Sequence, residues 1–147
     1  MTDGFPITIF HNPACGTSRN ALAMIRAAGY EPTIVPYLET GWSRAQLQEL
    51  LQAMGARPRD ILREKGTPAV ERGLLEPDTT DDRILDAMVA EPILVNRPIV
   101  VTPKGVRLAR PSEVVFEILD RVPETFTKED GEAVRPAASE RAASTKA

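Results

Sequence analysis

The first part of the chain alternates between short apolar runs and one longer amphipathic segment. Residues 7–10 (ITIF) form a β-prone run that ends at a polar loop, and apolar residues recur at helical spacing after it until Gly29. Residues 33–35 (TIV) form a second β-prone run. This pattern predicts a β-α-β unit, whose two strands are parallel because the crossover between them contains a helix.

The middle of the chain, at about residues 43–91, has the apolar period of helices. Ser43 begins a predicted capping box before a stripe of leucines. A short helix is predicted from Pro58, with Arg63 near its end, and a longer helix is predicted after Thr80. The core positions predicted for the longer helix are Ile84, Leu85, Met88 and Val89.

Strand patterns return after this helical segment. Residues 93–95 (ILV) and 99–102 (IVVT) are predicted strands, and residues 106–109 alternate as the returning arm of a hairpin. Pro111 opens a last predicted helix. Its predicted buried positions are Val114, Val115, Ile118 and Leu119. The order of elements predicts an α/β fold with a thioredoxin-like mixed sheet, β-α-β then β-β-α, and a helical insertion between the halves.

Composition narrows the class of protein without changing this fold. The 147 residues are 42% hydrophobic and 27% charged, which is typical of one globular domain. We expect that domain at residues 1–132, with the helical insertion at about 43–91, and a flexible tail at 133–147. The net charge of −3 without a basic run predicts no nucleic-acid partner. The absence of a long apolar run and of a signal peptide predicts no membrane association and a cytoplasmic location.

The only cysteine and the only histidine lie together in residues 11–20 (HNPACGTSRN), between the first strand and the first helix. A single cysteine cannot form an internal disulfide, and a structural zinc site needs about four Cys or His ligands, so no metal site is predicted. Cys15 is therefore an inert buried thiol, a surface thiol or a nucleophile. The nucleophile is favoured because a helix N-terminus lowers the pKa of a thiol, and because His11 and Ser18 are near enough to supply charge or a hydrogen bond.

Ser18 stands where a redox C-x-x-C pair has its second cysteine. Any disulfide of Cys15 must therefore join it to a small thiol or to a partner protein. Pro98 precedes a predicted strand, at the place where thioredoxin-like sheets have a cis-proline that faces the cysteine. Arginines from three separate segments can supply a pocket for a tetrahedral oxyanion, because guanidinium groups bind such oxygens bidentately. They are Arg63, Arg97 and Arg110.

Four longer motifs resemble those of the glutaredoxin-dependent arsenate reductases. They are HNPACGTSRN, ILREKGTP, PILVNRPIVVTPKGVRLARPSEVV and FTKEDGE, in the family's order and spacing over about residues 7–132. The resemblance implies that Cys15 is the nucleophile, that His11 lowers its pKa, and that the three arginines bind the oxyanion. It also implies arsenate as substrate, glutathione as co-substrate, glutaredoxin as protein partner and no bound cofactor. Ala109 stands where some members have a second, nonessential cysteine.

Two other functions fit a lone cysteine in a thioredoxin-like fold. One is a noncatalytic adaptor with a redox-sensing thiol, and the other is a monothiol glutathione-dependent oxidoreductase or transferase with an organic substrate. The arginine set disfavours both, because an adaptor needs no cationic pocket and an organic substrate needs an apolar one. A phosphatase-like reductase is also disfavoured, because Ala21 stands where its Cys-x5-Arg motif requires arginine.

Overall fold

The computed structural model describes residues 4–136, and the chain divides into two compact units. One unit contains the described residues up to Val35 and from Arg97 onward, and the other is Pro36–Asn96. Over residues 4–136, the helices are all too short or too polar to cross a membrane.

A four-stranded mixed sheet lies at the centre of the first unit. Its strands are β1 (Thr8–Phe10), β2 (Thr33–Val35), β3 (Ile99–Thr102) and β4 (Gly105–Leu108). β1 is parallel to β2 and antiparallel to β3, and β3 pairs antiparallel with β4, which gives the order β2-β1-β3-β4. The predicted thioredoxin-like order of a β-α-β half and a β-β half is confirmed.

The crossover helix α1 (Gly16–Ala27) joins β1 to β2 and buries one face in the core of this unit. Ala21, Met24 and Ile25 are fully buried on that face. The helix stops before Gly29, whose positive φ of 97° is available to glycine without steric cost. The core continues into the sheet and beyond it through Ile9, Val100 and Phe116.

The last predicted helix is a 3-10 helix, Ser112–Ile118, and not an α-helix. A 3-10 helix has about three residues per turn, so residues three apart share a face. Val115 and Ile118 are buried accordingly, as is Leu119 just after the helix, whereas Val114 is only partly buried. Three of the four predicted core positions are thus confirmed, with a different helix type.

A short antiparallel hairpin, which the sequence analysis missed, completes this unit. Its strands are β5 (Phe126–Thr127) and β6 (Ala133–Val134), and Val134 joins the core. Strands of two residues are too short to show an alternating pattern. Ordered structure therefore extends past the predicted boundary at residue 132, and residues 137–147 of the predicted tail lie outside the described part of the chain.

Arg121, in the segment before this hairpin, forms hydrogen bonds with the C-terminus of α1. Its guanidinium donates to the carbonyl oxygens of Ala28 (3.4 Å) and Gly29 (3.2 Å) and lies 4.4 Å from the centroid of the Tyr30 ring. We expect Arg121→Met to lower the free energy of unfolding by about 1 kcal/mol, because it removes both a cation at a helix C-terminus and a cation–π contact. Urea denaturation measures this, and Arg135→Met, at an exposed position, is the control that should change little.

The second unit, Pro36–Asn96, is mainly helical. It contains the α-helices α2 (Tyr37–Thr40), α3 (Arg44–Met54) and α4 (Asp81–Ala90) and the 3-10 helices Pro58–Ile61 and Pro92–Leu94. The predicted capping box is confirmed, because the Ser43 hydroxyl accepts the Gln46 N–H while the Gln46 side chain bonds the Ser43 N–H. Thr80 caps α4 with a single hydrogen bond, by accepting the Arg83 N–H.

The strand predicted at residues 93–95 is wrong. Pro92 opens a 3-10 helix there, and the N–H groups of Leu94 and Val95 bond carbonyls three residues back. Proline favours the first helical position because its φ is already helical and its missing N–H has no partner to lose there. The β-branched residues of this run therefore do not decide its conformation.

Two further predictions for this unit need correction. The helix predicted from Pro58 ends at Ile61, so Arg63 lies beyond it, next to a bridge between Leu62 and Val95. On α4, Val89 is 38% exposed and is not a core residue. The other predicted positions of α4 are buried, namely Ile84, Leu85 and Met88.

Candidate active site

The loop between β1 and α1 places Cys15 at the N-terminus of the helix. Cys15 is the residue that caps α1, with an extended backbone, and only 7% of it is exposed. A tight turn precedes it, in which the Asn12 carbonyl accepts the Cys15 N–H at 3.0 Å and the Asn12 side chain accepts the Ala14 N–H at 2.9 Å. The sulfur is thereby held beside the unpaired N–H groups of the first helical turn.

The surroundings of Cys15 favour its thiolate. Burial alone would raise the pKa of the thiol, but the Ser18 N–H, the charge of Arg97, the Arg110 side chain and the Thr17 N–H together hold that pKa below its usual value. Arg110 Nη1 lies 3.9 Å from Cys15 Sγ. These surroundings favour a nucleophile over an inert core thiol, and that role of Cys15 stays a prediction.

Two of the three predicted arginines act on Cys15 from the segments that flank β3 and β4. Arg97 precedes β3, and its peptide bond to Pro98 is cis, as predicted from the thioredoxin-like sheet. Arg110 follows β4 and donates from Nη1 to the Arg97 carbonyl oxygen at 2.9 Å, so the two arginine segments are bonded to each other. The Arg110–Pro111 peptide is also cis, which the sequence analysis did not predict.

Arg63, the third predicted arginine, belongs to the second unit. Its Nε donates to the Lys65 carbonyl at 2.9 Å, and its N–H donates to the Leu94 carbonyl at 2.8 Å. The backbone at Arg63 is therefore hydrogen-bonded to Leu94, three residues before Arg97 in the sequence. Binding of the oxyanion by Arg63 stays a prediction.

His11 is buried in the loop beside Ser18, and its predicted effect on the pKa of Cys15 stays a prediction. Its Nδ1 lies 2.6 Å from Ser18 Oγ, which also accepts the Asn12 N–H at 3.0 Å. Burial, followed by the positive charges of two arginines on α1, lowers the pKa of His11 below 6.5. Of the two predicted contributions of His11, a positive charge or a hydrogen bond, the lowered pKa and the contact with Ser18 favour the hydrogen bond. The hydrogen bond between its Nδ1 and the buried Ser18 hydroxyl orders the loop.

We expect the buried His11 to make the fold less stable as the pH falls below about 6.5. The folded pKa is lowered, so below that pH the unfolded chain binds a proton that the folded chain resists, and stability is lost as protons are added. Urea midpoints between about pH 7 and about pH 5 should fall more steeply for the parent than for His11→Asn, whose amide does not titrate. Equal slopes would contradict a buried neutral imidazole.

Sequence reasoning missed two residues that hold the loop. Asn12 closes the turn before Cys15, and the dipeptide Asn12-Pro13 is itself a turn signal that could have identified it. Arg19 bonds the Pro13 carbonyl and Glu129, a residue 110 positions away, for which the sequence carries no local signal. Among residues 4–136, no three His, Cys, Asp or Glu side chains are grouped so as to hold a metal ion.

Comparison with known proteins gives one consistent family. The sequence model of the ArsC family matches residues 10–118, a span that includes Cys15 and all three arginines. The chain is 57% identical over 136 residues to an arsenate reductase of Rhizobium meliloti (strain 1021), covering 92% of this chain and 97% of that protein. An arsenate reductase of Escherichia coli (strain K12) is also 57% identical over 136 residues, with coverage of 92% and 96%. The solved structure of an arsenate reductase from Vibrio cholerae aligns with a TM-score of 0.74 and 38% identity, over 78% of this chain and 98% of that one.

Proposed function

The chain belongs to the ArsC family, and on that premise we propose that it reduces arsenate to arsenite with the Cys15 thiolate as nucleophile. The observation that carries the proposal is the position of the Cys15 sulfur, 3.9 Å from Arg110 Nη1 and within the field of Arg97. Arsenate is an anion, so a thiolate can approach it only where positive groups offset the charge of both. The groups that lower the pKa of the Cys15 thiol can therefore both stabilise the thiolate and offset the charge of arsenate.

The first chemical step forms a bond between Cys15 and arsenic. The thiolate attacks arsenic, one arsenic–oxygen bond breaks, and the oxygen leaves as water after taking up protons. Arg97 and Arg110 neutralise the remaining oxygens, and Arg63 is the proposed third ligand; guanidinium groups suit this task because they bind two oxygens at once. Phosphate has a similar charge and shape but does not readily form the corresponding bond to sulfur, so this step selects arsenate.

The second step transfers two electrons to arsenic. The thiol of glutathione adds to the arsenic, which then takes one electron pair from the two sulfurs and leaves as arsenite. One arsenate and two thiols thus give one arsenite, one water and one mixed disulfide between Cys15 and glutathione. The second thiol has to come from outside, because the chain has a single cysteine.

The last step restores the Cys15 thiol. Glutaredoxin reduces the mixed disulfide by thiol exchange. It thereby supplies the resolving thiol, which Ser18 cannot provide. The cytoplasmic location is part of the same proposal, because glutathione there keeps thiols reduced. No bound cofactor takes part in any step of this scheme.

Arsenite release by the purified protein tests the function. We expect repeated turnover to arsenite only when arsenate, glutathione and glutaredoxin are all present, with recycling followed as NADPH oxidation by glutathione reductase. Without glutaredoxin, turnover should stop with one glutathione on the peptide that contains Cys15, which mass spectrometry detects. Arsenite formation that is unaffected by the omission of glutathione would contradict the proposed second step.

A further inference from the structure

The turn of the C-terminal hairpin bonds the segment that carries Cys15. Glu129 accepts two hydrogen bonds from Arg19, from Nε to Oε2 at 2.8 Å and from Nη2 to Oε1 at 3.0 Å. The remaining nitrogen of that guanidinium, Nη1, donates to the carbonyl oxygen of Pro13 at 2.8 Å. Arg19 therefore connects the hairpin to the loop immediately before Cys15.

Two further observations place the same turn beside the start of α1. The Glu129 N–H donates to Asn20 Oδ1 at 3.0 Å. A Cβ atom placed on Gly16, the residue after Cys15, would lie 3.9 Å from Glu129 Oε1. The hairpin turn thus contacts α1 through the Glu129 N–H as well as through the ion pair.

The neighbouring residue of the turn bonds the segment that carries Arg110. Lys128 Nζ lies 2.7 Å from Glu113 Oε1, and this pair is more shielded than the first, with the Lys128 side chain only 10% exposed. Glu113 is three residues after Arg110, in the first turn of the 3-10 helix. Lys128 Nζ also lies 3.2 Å from Glu132 Oε1 within the hairpin, and the shorter pair with Glu113 is the one that joins the hairpin to the segment of Arg110.

We propose that Lys128 and Glu129 form a hairpin clamp that sets the distance between Cys15 and Arg110. The clamp is defined as the two ion pairs Glu129–Arg19 and Lys128–Glu113. Cys15 and Arg110 are 95 residues apart in sequence, and two adjacent residues of one turn hold the segments of both. Lys128, Glu129 and Arg19 are positioning residues, since they act through Cys15 and Arg110.

Geometry, and not stability, is the expected benefit of the clamp. The side chains of Arg19 and Glu129 are 43% and 48% exposed, and ion pairs this exposed add little to folding stability. Attack of sulfur on arsenic, in contrast, requires the thiolate and the oxyanion ligands to be placed together, and a displacement of about 1 Å costs up to about 100-fold in rate. The effect on catalysis rests on the proposed function, whereas the effect on the Cys15 pKa does not.

The first test measures the pKa of Cys15 in the full chain without arsenate. Arg19→Lys keeps the positive charge but cannot bond Pro13 and both oxygens of Glu129 together. We expect the pKa of Cys15 to rise, as followed by the ultraviolet absorbance of the thiolate against pH. Glu31→Gln is the matched control, because it breaks a similar Arg–Glu pair, Arg26–Glu31, at the other end of α1. An unchanged titration in Arg19→Lys would overturn the proposal.

The second test measures turnover in Glu129→Ala, in Lys128→Met and in the double variant. We expect each single change to lower kcat by about 3- to 10-fold with a smaller change in KM, in variants whose melting temperatures show that they are folded. A clamp fails when either ion pair is lost, so the kcat of the double variant should match that of the less active single variant. Effects that multiply would mean that the two ion pairs act independently, and would overturn the proposal. If the parent protein does not reduce arsenate but Arg19→Lys still raises the pKa of Cys15, the proposed function is refuted and the clamp is supported.

Discussion

Replacement of Cys15 by serine is expected to abolish arsenate reduction and to leave the chain folded. A serine hydroxyl is not ionised near neutral pH, and its oxygen can form neither the sulfur–arsenic bond nor the mixed disulfide with glutathione. Loss of an essential nucleophile costs at least about 1,000-fold in kcat. The size of the side chain hardly changes, so the buried site does not lose its packing. Arsenite release with glutathione and glutaredoxin measures the result.

Ser18→Thr is no suitable control for this change, because Ser18 is fully buried and bonded to His11. Thr17→Ser is a better one, since Thr17 is in the same helical turn, is only half-buried and acts on Cys15 through its backbone N–H. We expect Thr17→Ser to keep most of the parent activity and the Cys15→Ser protein to match the parent in melting temperature. Turnover retained by the purified Cys15→Ser protein would contradict every step that involves covalent sulfur.

The sequence predicts the sheet of the first unit because each strand has a clear local signal. The runs that form β1, β2 and β3 are apolar and β-branched, and turn residues bound them, so pattern and structure agree. The run at 93–95 has similar residues but begins one position after Pro92, whose fixed φ favours a helical turn. The hairpin of β5 and β6 has two residues in each strand, which no periodic pattern can reveal.

The site shows the same division between local and distant information. The place of Cys15 at a helix N-terminus follows from a strand, a loop and a helix in order, and the structure agrees. The pKa of His11 is lowered by burial and by charges that only the folded chain brings near it, so the sequence could not decide between a charge and a hydrogen bond as its contribution. The contact of Glu129 with Arg19 joins residues 110 positions apart, and spacing in sequence carries no information about it.

Arg97→Lys is expected to lower kcat/KM for arsenate by about 10- to 150-fold. This range corresponds to the loss of about 1.5 to 3 kcal/mol, which is typical of a hydrogen bond to a charged group. Lysine keeps the charge near Cys15, so the thiol stays activated, but it lacks the planar fork that binds two oxygens of one anion. A large loss of activity with a nearly unchanged thiol titration is therefore the specific result that oxyanion binding predicts. Arg110→Lys should behave similarly, with a larger effect on the thiol because Arg110 Nη1 lies 3.9 Å from the sulfur.

Arg135→Lys provides the control for these substitutions, because Arg135 is exposed and follows β6, outside the loop and strands that form the site. It should turn over arsenate like the parent protein. If Arg97→Lys and Arg110→Lys also did so while Cys15→Ser was inactive, the thiol would be catalytic but the arginines would not bind the substrate. The favoured function would then be a monothiol glutathione-dependent oxidoreductase, because that reaction needs the activated sulfur and has no need for bidentate ligands of an oxyanion.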